Sequence, residues 1–291
     1  MTGLEAAQVM QPDITPDETL EDLYCLVDRS MLQELPEQQF EWLPLIQRFA
    51  QQQAGDQTSA HQNAVQYYQE HCVPLYRHTP PIALADYLGV FYHACELGQY
   101  ANAWNLMQQP TVEDEAEGRY SSPEMFLKFQ GSSSDRLKLS ELYGRLVQQW
   151  QPQTRYEKNL YANTLQAIGD VLQFLKRSSK ALENYQQAIE IYRAVGDRLG
   201  EANTLLGLGS LQDNPEQAMV YFLDAQAIFQ KIGDKYSQGR NLLMFIVKAQ
   251  HQQGDLEGVM RSLAQASAIG DEIGFEPFQQ VADQIRAELQ N

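Results

Sequence analysis

The sequence predicts an all-α protein built from repeated helix pairs, and three observations support this prediction. The tetrapeptide Ala-Asn-Thr-Leu occurs at 162–165 and again 40 residues later, at 202–205. The dipeptide Gly-Asp that closes each copy, at 196–197 and 233–234, recurs after 37 residues, so the second copy is three residues shorter. No segment shows the period-two alternation bounded by turn residues that is typical of a strand. A period in this range is typical of stacked helical repeats.

The residues ahead of the repeats are predicted to form a tail and an acidic helical region. Residues 1–18 are polar and contain Pro12 and Pro16, which favours a disordered or loosely docked tail. In residues 19–109, apolar residues recur at helical spacing, and Pro36 fits the first turn of one helix. The helices predicted there cover residues 19–31, 36–54, 59–72, 82–97 and 100–107.

The remaining divisions follow from breaks in the apolar periodicity. Residues 110–122 are acidic and aperiodic, which predicts a linker or an exposed loop, and a helical hairpin is predicted at 123–152. Three repeats are predicted over 153–274. Because an array needs a terminal helix with a polar outer face, residues 275–291 are predicted to cap it.

Small residues and one aromatic recur at equivalent places in the two copies. Each copy has a glycine in its first helix and two alanines flanking an aromatic in its second, so helix backbones can approach closely there. A glycine inside a helix costs roughly 1 kcal/mol relative to alanine, and its recurrence therefore indicates a packing role. The predicted repeat-packing residues are Gly169, Ala181, Tyr185 and Ala188 in the first copy and Gly209, Ala218, Phe222 and Ala225 in the second.

This pattern resembles the tetratricopeptide repeat, a helix–turn–helix unit of about 34 residues. The residues above match its eighth, twentieth, twenty-fourth and twenty-seventh places. The closing Gly-Asp is similar to that of a longer variant, roughly 40 residues, common in bacterial regulatory and scaffold proteins. The glutamine-rich composition resembles cyanobacterial members. The resemblance implies a right-handed superhelix of antiparallel helix pairs.

Two further copies are predicted, both degenerate. The third places Asn241 where Asn163 and Asn203 fall, and Val247 replaces the glycine. Its second helix carries Val259, Leu263 and Ala266. The other copy lies upstream, at 82–109, where Gly89, Tyr92 and Ala101 match the eighth, eleventh and twentieth places.

The resemblance also implies a binding surface, because the first helices of successive repeats line a concave groove in this family. The second, fifth, ninth and twelfth places face it; here they are Asn163, Gln166, Asp170, Gln173, Asn203, Ser210, Asn241, Lys248 and His251. The three asparagines would form a ladder, and amides suit an extended peptide backbone because they both donate and accept hydrogen bonds. The asparagines could equally cap or bridge neighbouring helices, and the sequence leaves both interpretations open.

Charge is distributed unevenly along the chain. The net charge is −17, and residues 1–120 carry 18 acidic and 4 basic residues, hence −14, with no lysine. Such a field repels phosphate backbones, which disfavours nucleic-acid binding, and it would steer a partner with a basic surface toward this third. Solubility alone also explains it.

No catalytic residue, metal ligand or cofactor site is predicted. The phosphate-binding, dinucleotide, zinc-protease and serine-hydrolase motifs are absent. His71, Cys72 and His78 lack a fourth zinc ligand, and the three cysteines contain no CxxC pair, which favours free thiols. No apolar run is long enough for a membrane span, and no signal peptide is recognisable, so a soluble cytoplasmic protein is expected.

These features predict a non-catalytic scaffold, adaptor or assembly factor that binds a partner polypeptide in the groove. The alternative is a regulator that senses a peptide or small ligand, for which a deep, closed pocket lined with aromatics would be the sign. An enzyme is not expected. The sequence predicts neither the partner's identity nor the oligomeric state.

Overall fold

The computed structural model describes residues 32–35, 39–42, 56–76, 78–112, 121–130 and 133–290. The chain divides into two compact units, residues 1–139 and 140–291. The tail predicted at 1–18 and the helix predicted at 19–31 lie outside the described residues. The other predicted domain boundaries stay predictions.

Two short strands interrupt the helical pattern in the first unit. β1 (Leu32–Leu35) and β2 (Gln39–Trp42) pair antiparallel, with Leu32 opposite Trp42. The helix predicted from Pro36 is therefore wrong over β2, as is the prediction that no segment forms a strand. Phenylalanine and tryptophan favour strands, and a proline that fits a helical first turn also fits the segment between two strands.

Every other described element is a helix or a helical turn, and the all-α fold class is confirmed. The first unit contains α1 (Thr58–His71), α2 (Leu84–Glu96), α3 (Tyr100–Gln108), α4 (Pro123–Gln130) and the start of α5 (Ser133–Gln149). The second unit contains the rest of α5, then α6 (Arg155–Phe174), α7 (Ser178–Val195), α8 (Arg198–Ser210), α9 (Pro215–Ile232), α10 (Lys235–Asn241), α11 (Val247–Gln252), α12 (Leu256–Ile273) and α13 (Glu276–Gln290).

In the first unit, the predicted upstream copy packs differently from the repeats. A Cβ on Gly89 of α2 would meet the ring of Tyr68 in α1 at 2.8 Å, so this glycine makes room for the helix before it. The ends of the acidic segment are tied together, because the Thr111 hydroxyl donates to the Ser121 carbonyl at 2.8 Å. The same hydroxyl accepts the Leu75 backbone N–H.

A histidine pair joins α1 to α2. The Nδ1 atoms of His61 and His93 lie 2.8 Å apart, so one ring donates and the other accepts. Burial and, to a smaller extent, the neighbouring His61 lower the pKa of His93 from 6.5 to about 4. His93 therefore stays neutral in the folded chain at a pH where it would be protonated in the unfolded chain.

This pair predicts an acid-sensitive first unit. Since the unfolded chain binds more protons than the folded chain between pH 6.5 and about 4, the free energy of unfolding decreases as pH falls through that window. The urea midpoint of the wild type, followed by circular dichroism, should fall more between pH 7 and pH 5 than that of His93→Asn. Parallel losses in the two proteins would contradict the role of His93.

The repeated Gly-Asp dipeptide connects one helix pair to the next. Gly196 ends α7 with φ +75°, a left-handed conformation that favours glycine, and the Asp197 side chain accepts the Gly200 N–H at 2.9 Å to cap α8. Gly233 and Asp234 repeat this arrangement between α9 and α10. The dipeptide thus fixes where each first helix begins.

The cap at Asp234 provides a prediction. Asp234→Ala should lower the free energy of unfolding by about 1 kcal/mol, because the Ser237 N–H loses its acceptor, 2.9 Å away. Asp234→Asn keeps a capping oxygen and should remain close to wild type. Chemical denaturation of both variants measures the difference, and equal losses would show that the cap contributes through charge alone.

The third helix pair contains an inserted residue. Residues Leu242–Ile246 form a π turn between α10 and α11, and such a turn places one extra residue in a helix. Before the turn, the N-cap residues Asp197 and Asp234 show that the third repeat follows the second by 37 residues. Together with the 40-residue spacing of the two Ala-Asn-Thr-Leu tetrapeptides, this places the third repeat 77 residues after the first, whereas beyond the turn Gly274 follows Gly196 by 78 residues. The repeat register therefore shifts by one within this turn.

Candidate functional site

The repeat core consists of aromatic rings seated on glycines. The Tyr185 ring in α7 is fully buried between two glycines, and an added Cβ would lie 2.6 Å from it at Gly169 and 2.7 Å at Gly207. Phe222 in α9 lies against Gly209 in the same way, at 2.5 Å. All eight predicted repeat-packing residues are buried. The glycines thus let helices of adjacent pairs approach one ring.

The Tyr185 hydroxyl reaches the predicted binding surface. It donates to Asp170 Oδ1 at 2.7 Å and lies 2.9 Å from Gln173 Oε1. Burial, followed by the charge of Asp170 and the hydrogen bond to it, raises the tyrosine pKa, so the hydroxyl keeps its proton. The buried Tyr185, which comes from the second helix of the pair, therefore positions both side chains of α6.

A second tyrosine holds the other half of α6. The Tyr192 hydroxyl donates to Asn163 Oδ1 at 2.7 Å and lies 3.0 Å from Gln166 Oε1. Gln166 Oε1 also accepts from the Thr204 hydroxyl of α8 at 3.2 Å. Four polar side chains of α6 thus lie half-buried, each with an oxygen atom within 3.0 Å of a buried tyrosine hydroxyl.

The predicted asparagine ladder is incomplete. Arg240 Nη2 donates to Asn203 Oδ1 at 3.0 Å, whereas Asn241 has no exposed surface. Asn241 Nδ2 donates to the Phe222 carbonyl at 2.9 Å and to Gln226 Oε1 at 2.8 Å. Asn241 therefore bridges helices, and we leave it out of the binding surface.

The N-caps of the first helices explain why Asn241 does not lie at the place that was predicted for it. With the offset of 37 residues, Arg240 occupies the place of Asn203, and Asn241 occupies the place of Thr204, which is also fully buried. The alignment on shared asparagine identity was therefore wrong by one residue. The spacing of the Gly-Asp dipeptides was the sequence signal that could have found Arg240.

The later places on the surface are exposed. Ser210, Lys248 and His251 are exposed, and the Ser210 hydroxyl donates to its own helix at the Leu206 carbonyl. Met244 occupies the fifth place of the third pair and is 61% exposed. Met244 is absent from the predicted surface residues, although it follows Asn241 by three residues, the spacing between the second and fifth places.

We define the first-helix face as the half-buried or exposed side chains at these places. Its members are Asn163, Gln166, Asp170, Gln173, Asn203, Ser210, Arg240, Met244, Lys248 and His251. The part on the first two pairs is polar or acidic, and the part on the third pair adds cationic Arg240 and Lys248. The face can therefore offer hydrogen bonds along its length and positive charge at one end.

A cavity of about 420 Å³ opens at that end. Its lining comes from the π turn, from α11 and α12 of the third pair and from α13, and it comprises Leu243, Met244, Val247, Lys248, His251, Val259, Ile285, Glu288 and Leu289. The cavity is half-open, and six of its nine lining residues are apolar. Three residues of the first-helix face therefore belong to a concave apolar site.

The described ranges were also expected to contain no membrane-spanning helix and no reactive thiol. No helix there has both the length and the apolar character to cross a membrane. Cys72 and Cys95 are free thiols, and burial raises the pKa of each to about 12, so both stay protonated at neutral pH. Protonated thiols are weak nucleophiles.

Comparison with known proteins agrees with the repeat pattern. Residues 160–231 match the family model of the tetratricopeptide repeat. No curated protein matches the chain. Aspartyl phosphate phosphatase F from Bacillus subtilis is a similar solved structure, with TM-score 0.50 and 14% identity over 92% of this chain and 64% of that one.

Two other solved structures align over most of the chain. A signal transduction ATPase with numerous domains and a tetratricopeptide repeat sensor, from Pyrococcus horikoshii, gives TM-score 0.45 and 15% identity over 93% of this chain and 42% of that one. A Rap protein complexed with competence and sporulation factor gives 0.47 and 13% over 90% and 78%. The chain spans less than two thirds of the phosphatase and of the ATPase, and these likenesses concern the fold alone. The repeat family expected from the glycine and aromatic pattern is confirmed: residues 160–231 are a tetratricopeptide-repeat segment.

Proposed function

We propose that this protein is a non-catalytic adaptor or assembly factor that binds a partner polypeptide along the first-helix face. The observation that carries the proposal is the row of α6 side chains held by buried tyrosines. Tyr185 fixes Asp170 and Gln173, and Tyr192 fixes Asn163 and Gln166, at hydrogen-bond lengths between 2.7 and 3.0 Å. Prearranged polar groups lower the entropy lost when an extended chain binds.

The acidic first 120 residues provide a second contact in this proposal. Their net charge of −14 favours a partner with a basic surface, because opposite charge raises the rate of encounter. The scaffold proposal is preferred over a small-ligand sensor because the cavity is half-open and its lining residues contain no aromatic side chain other than His251.

The experiment is affinity purification of the full chain from its native cells with quantitative mass spectrometry. The face variant combines Ser210→Arg, Lys248→Glu and His251→Glu, all at exposed positions. We expect it to recover at least about tenfold less of the principal partner, as loss of about 1.4 kcal/mol would give. The matched control carries Glu183→Arg and Asp224→Arg, which are exposed on second helices, and it should retain the partner. Equal recovery by the face variant and the wild type would overturn the proposal.

A further inference from the structure

The cavity lies at the helix pair that lacks the ring-on-glycine packing of the first two. In the first two pairs an aromatic ring lies on a helical glycine, as Tyr185 does on Gly169. The third pair has Val247 at the glycine's place and Leu263 at the aromatic's place, both buried. A branched side chain in the first helix and a smaller one in the second cannot reproduce the ring-on-glycine contact, and Val247 lines the cavity instead.

The π turn determines which side chains line this space. Leu243 and Met244 lie within the turn, and Val247, Lys248 and His251 follow it on α11. Without the inserted residue, each of these would be rotated by about 100° around the helix. The insertion therefore places three apolar side chains, one lysine and one histidine on the same wall of the cavity. Such π turns occur frequently at functional sites.

The opposite wall is the last helix, α13. Ile285 and Leu289 are half-buried there, one turn apart, and Glu288 is exposed beside them. The cavity volume of about 420 Å³ falls in the range of roughly 300 to 1,000 Å³ found for binding sites, and it can take a large apolar side chain. Met244 is 61% exposed at the mouth, and methionine adapts readily to differently shaped apolar groups.

Charge at the mouth distinguishes between possible occupants. Lys248 is exposed and forms no ion pair within the described part of the chain, whereas Glu288 on the other wall accepts a hydrogen bond from Gln284 at 3.0 Å. The unpaired ammonium lies on the first-helix face, where the proposed partner runs. An acidic residue of the partner is complementary to it in an otherwise strongly acidic protein.

We propose that the partner polypeptide is anchored in this cavity by one large apolar side chain, with an acidic residue close to it in sequence that pairs with Lys248. This inference rests on the proposed function and adds the anchor and its chemistry. A buried apolar anchor flanked by a charge pair would supply a large share of the binding free energy, as such central residues do in other interfaces.

A random 12-residue peptide library displayed on phage, selected on the full chain, tests the anchor. Enriched peptides should share a large apolar residue with Asp or Glu within three positions. Fluorescence anisotropy of an enriched peptide should show at least about tenfold weaker binding to Met244→Gln and to Lys248→Glu, and the same loss when the apolar residue becomes alanine. Enriched peptides that lack the apolar residue would overturn the anchor.

Matched controls separate binding from folding. Met260→Gln changes an exposed methionine of α12 outside the cavity, and Glu190→Lys reverses the charge of an exposed acidic residue of α7 that does not line the cavity. Neither should weaken binding, and all four variants should keep the wild-type melting curve. If binding depends on Ser210→Arg but on neither Met244→Gln nor Lys248→Glu, the anchor is wrong and the proposed function stands. If no peptide is enriched, or binding depends on none of these positions, both are wrong.

Discussion

Gly169→Val should destabilise the second unit by about 3 kcal/mol, the upper part of the range for overpacked cores. A Cβ alone would lie 2.6 Å from the Tyr185 ring, and valine adds two methyl groups. The ring has no room to retreat, because Gly207 lies against it and Asp170 holds its hydroxyl. Urea denaturation followed by circular dichroism measures the loss.

The control for this prediction is a helical glycine with free space. A Cβ on Gly144 in α5 would meet nothing within 4 Å, so Gly144→Ala should stabilise the chain by up to about 1 kcal/mol through helix propensity. Gly169→Val and Gly144→Ala should therefore change stability in opposite directions. Similar small effects at both sites would show that the ring-on-glycine contact is not close-packed.

Asn241→Asp should lower the free energy of unfolding by about 3 kcal/mol at pH 7, in the range for an uncompensated buried charge. The Asn241 amide donates to the Phe222 carbonyl and to Gln226 Oε1, both acceptors, and the side chain has no exposed surface. A carboxylate would face these oxygens as a third acceptor. The substitution keeps the side-chain shape, so the loss measures the missing donors and the added charge.

The pH dependence of this variant gives its signature. Burial raises the pKa of a carboxyl, so the folded variant holds a proton that the unfolded chain releases, and its deficit shrinks as pH falls toward 4. Asn203→Asp is the control, because its carboxylate would lie beside Arg240, whose Nη2 already donates to Asn203 at 3.0 Å. That variant should be as stable as wild type or more so. A pH-independent deficit in Asn241→Asp would contradict the account of the buried amide.

The repeat core could be predicted from the sequence because it depends on local spacing. Gly169 and Tyr185 are 16 residues apart within one helix pair, and the same glycine-to-aromatic pattern recurs in the second pair with its inner turn shortened. The Gly-Asp dipeptides likewise encode a left-handed helix end followed by a helix cap. These features can be recognised from the residues of a single helix pair and the turn that follows it.

The rest depended on relations that a single pass along the chain does not contain. Asn241 matched Asn203 by residue identity, whereas the spacing of the Gly-Asp dipeptides aligns Arg240 with it. The π turn at Leu242–Ile246, which adds one residue beyond that place, has no signature in residue type. The strand pair at 32–35 and 39–42 contains residues that fit a helix pattern equally well. The cavity beside Met244 is a space left between three helices, and volume that is not filled has no sequence motif.

Site-specific photocrosslinking in the native cells tests the central claim most directly, namely that a partner polypeptide lies on the first-helix face. A benzophenone amino acid is placed at Ser210, exposed at the end of α8, and in a separate variant at Glu183, exposed on α7. We predict that the Ser210 variant yields a crosslinked partner after irradiation and the Glu183 variant does not. Crosslinking from Glu183 with none from Ser210 would contradict the account and place the partner on the second helices.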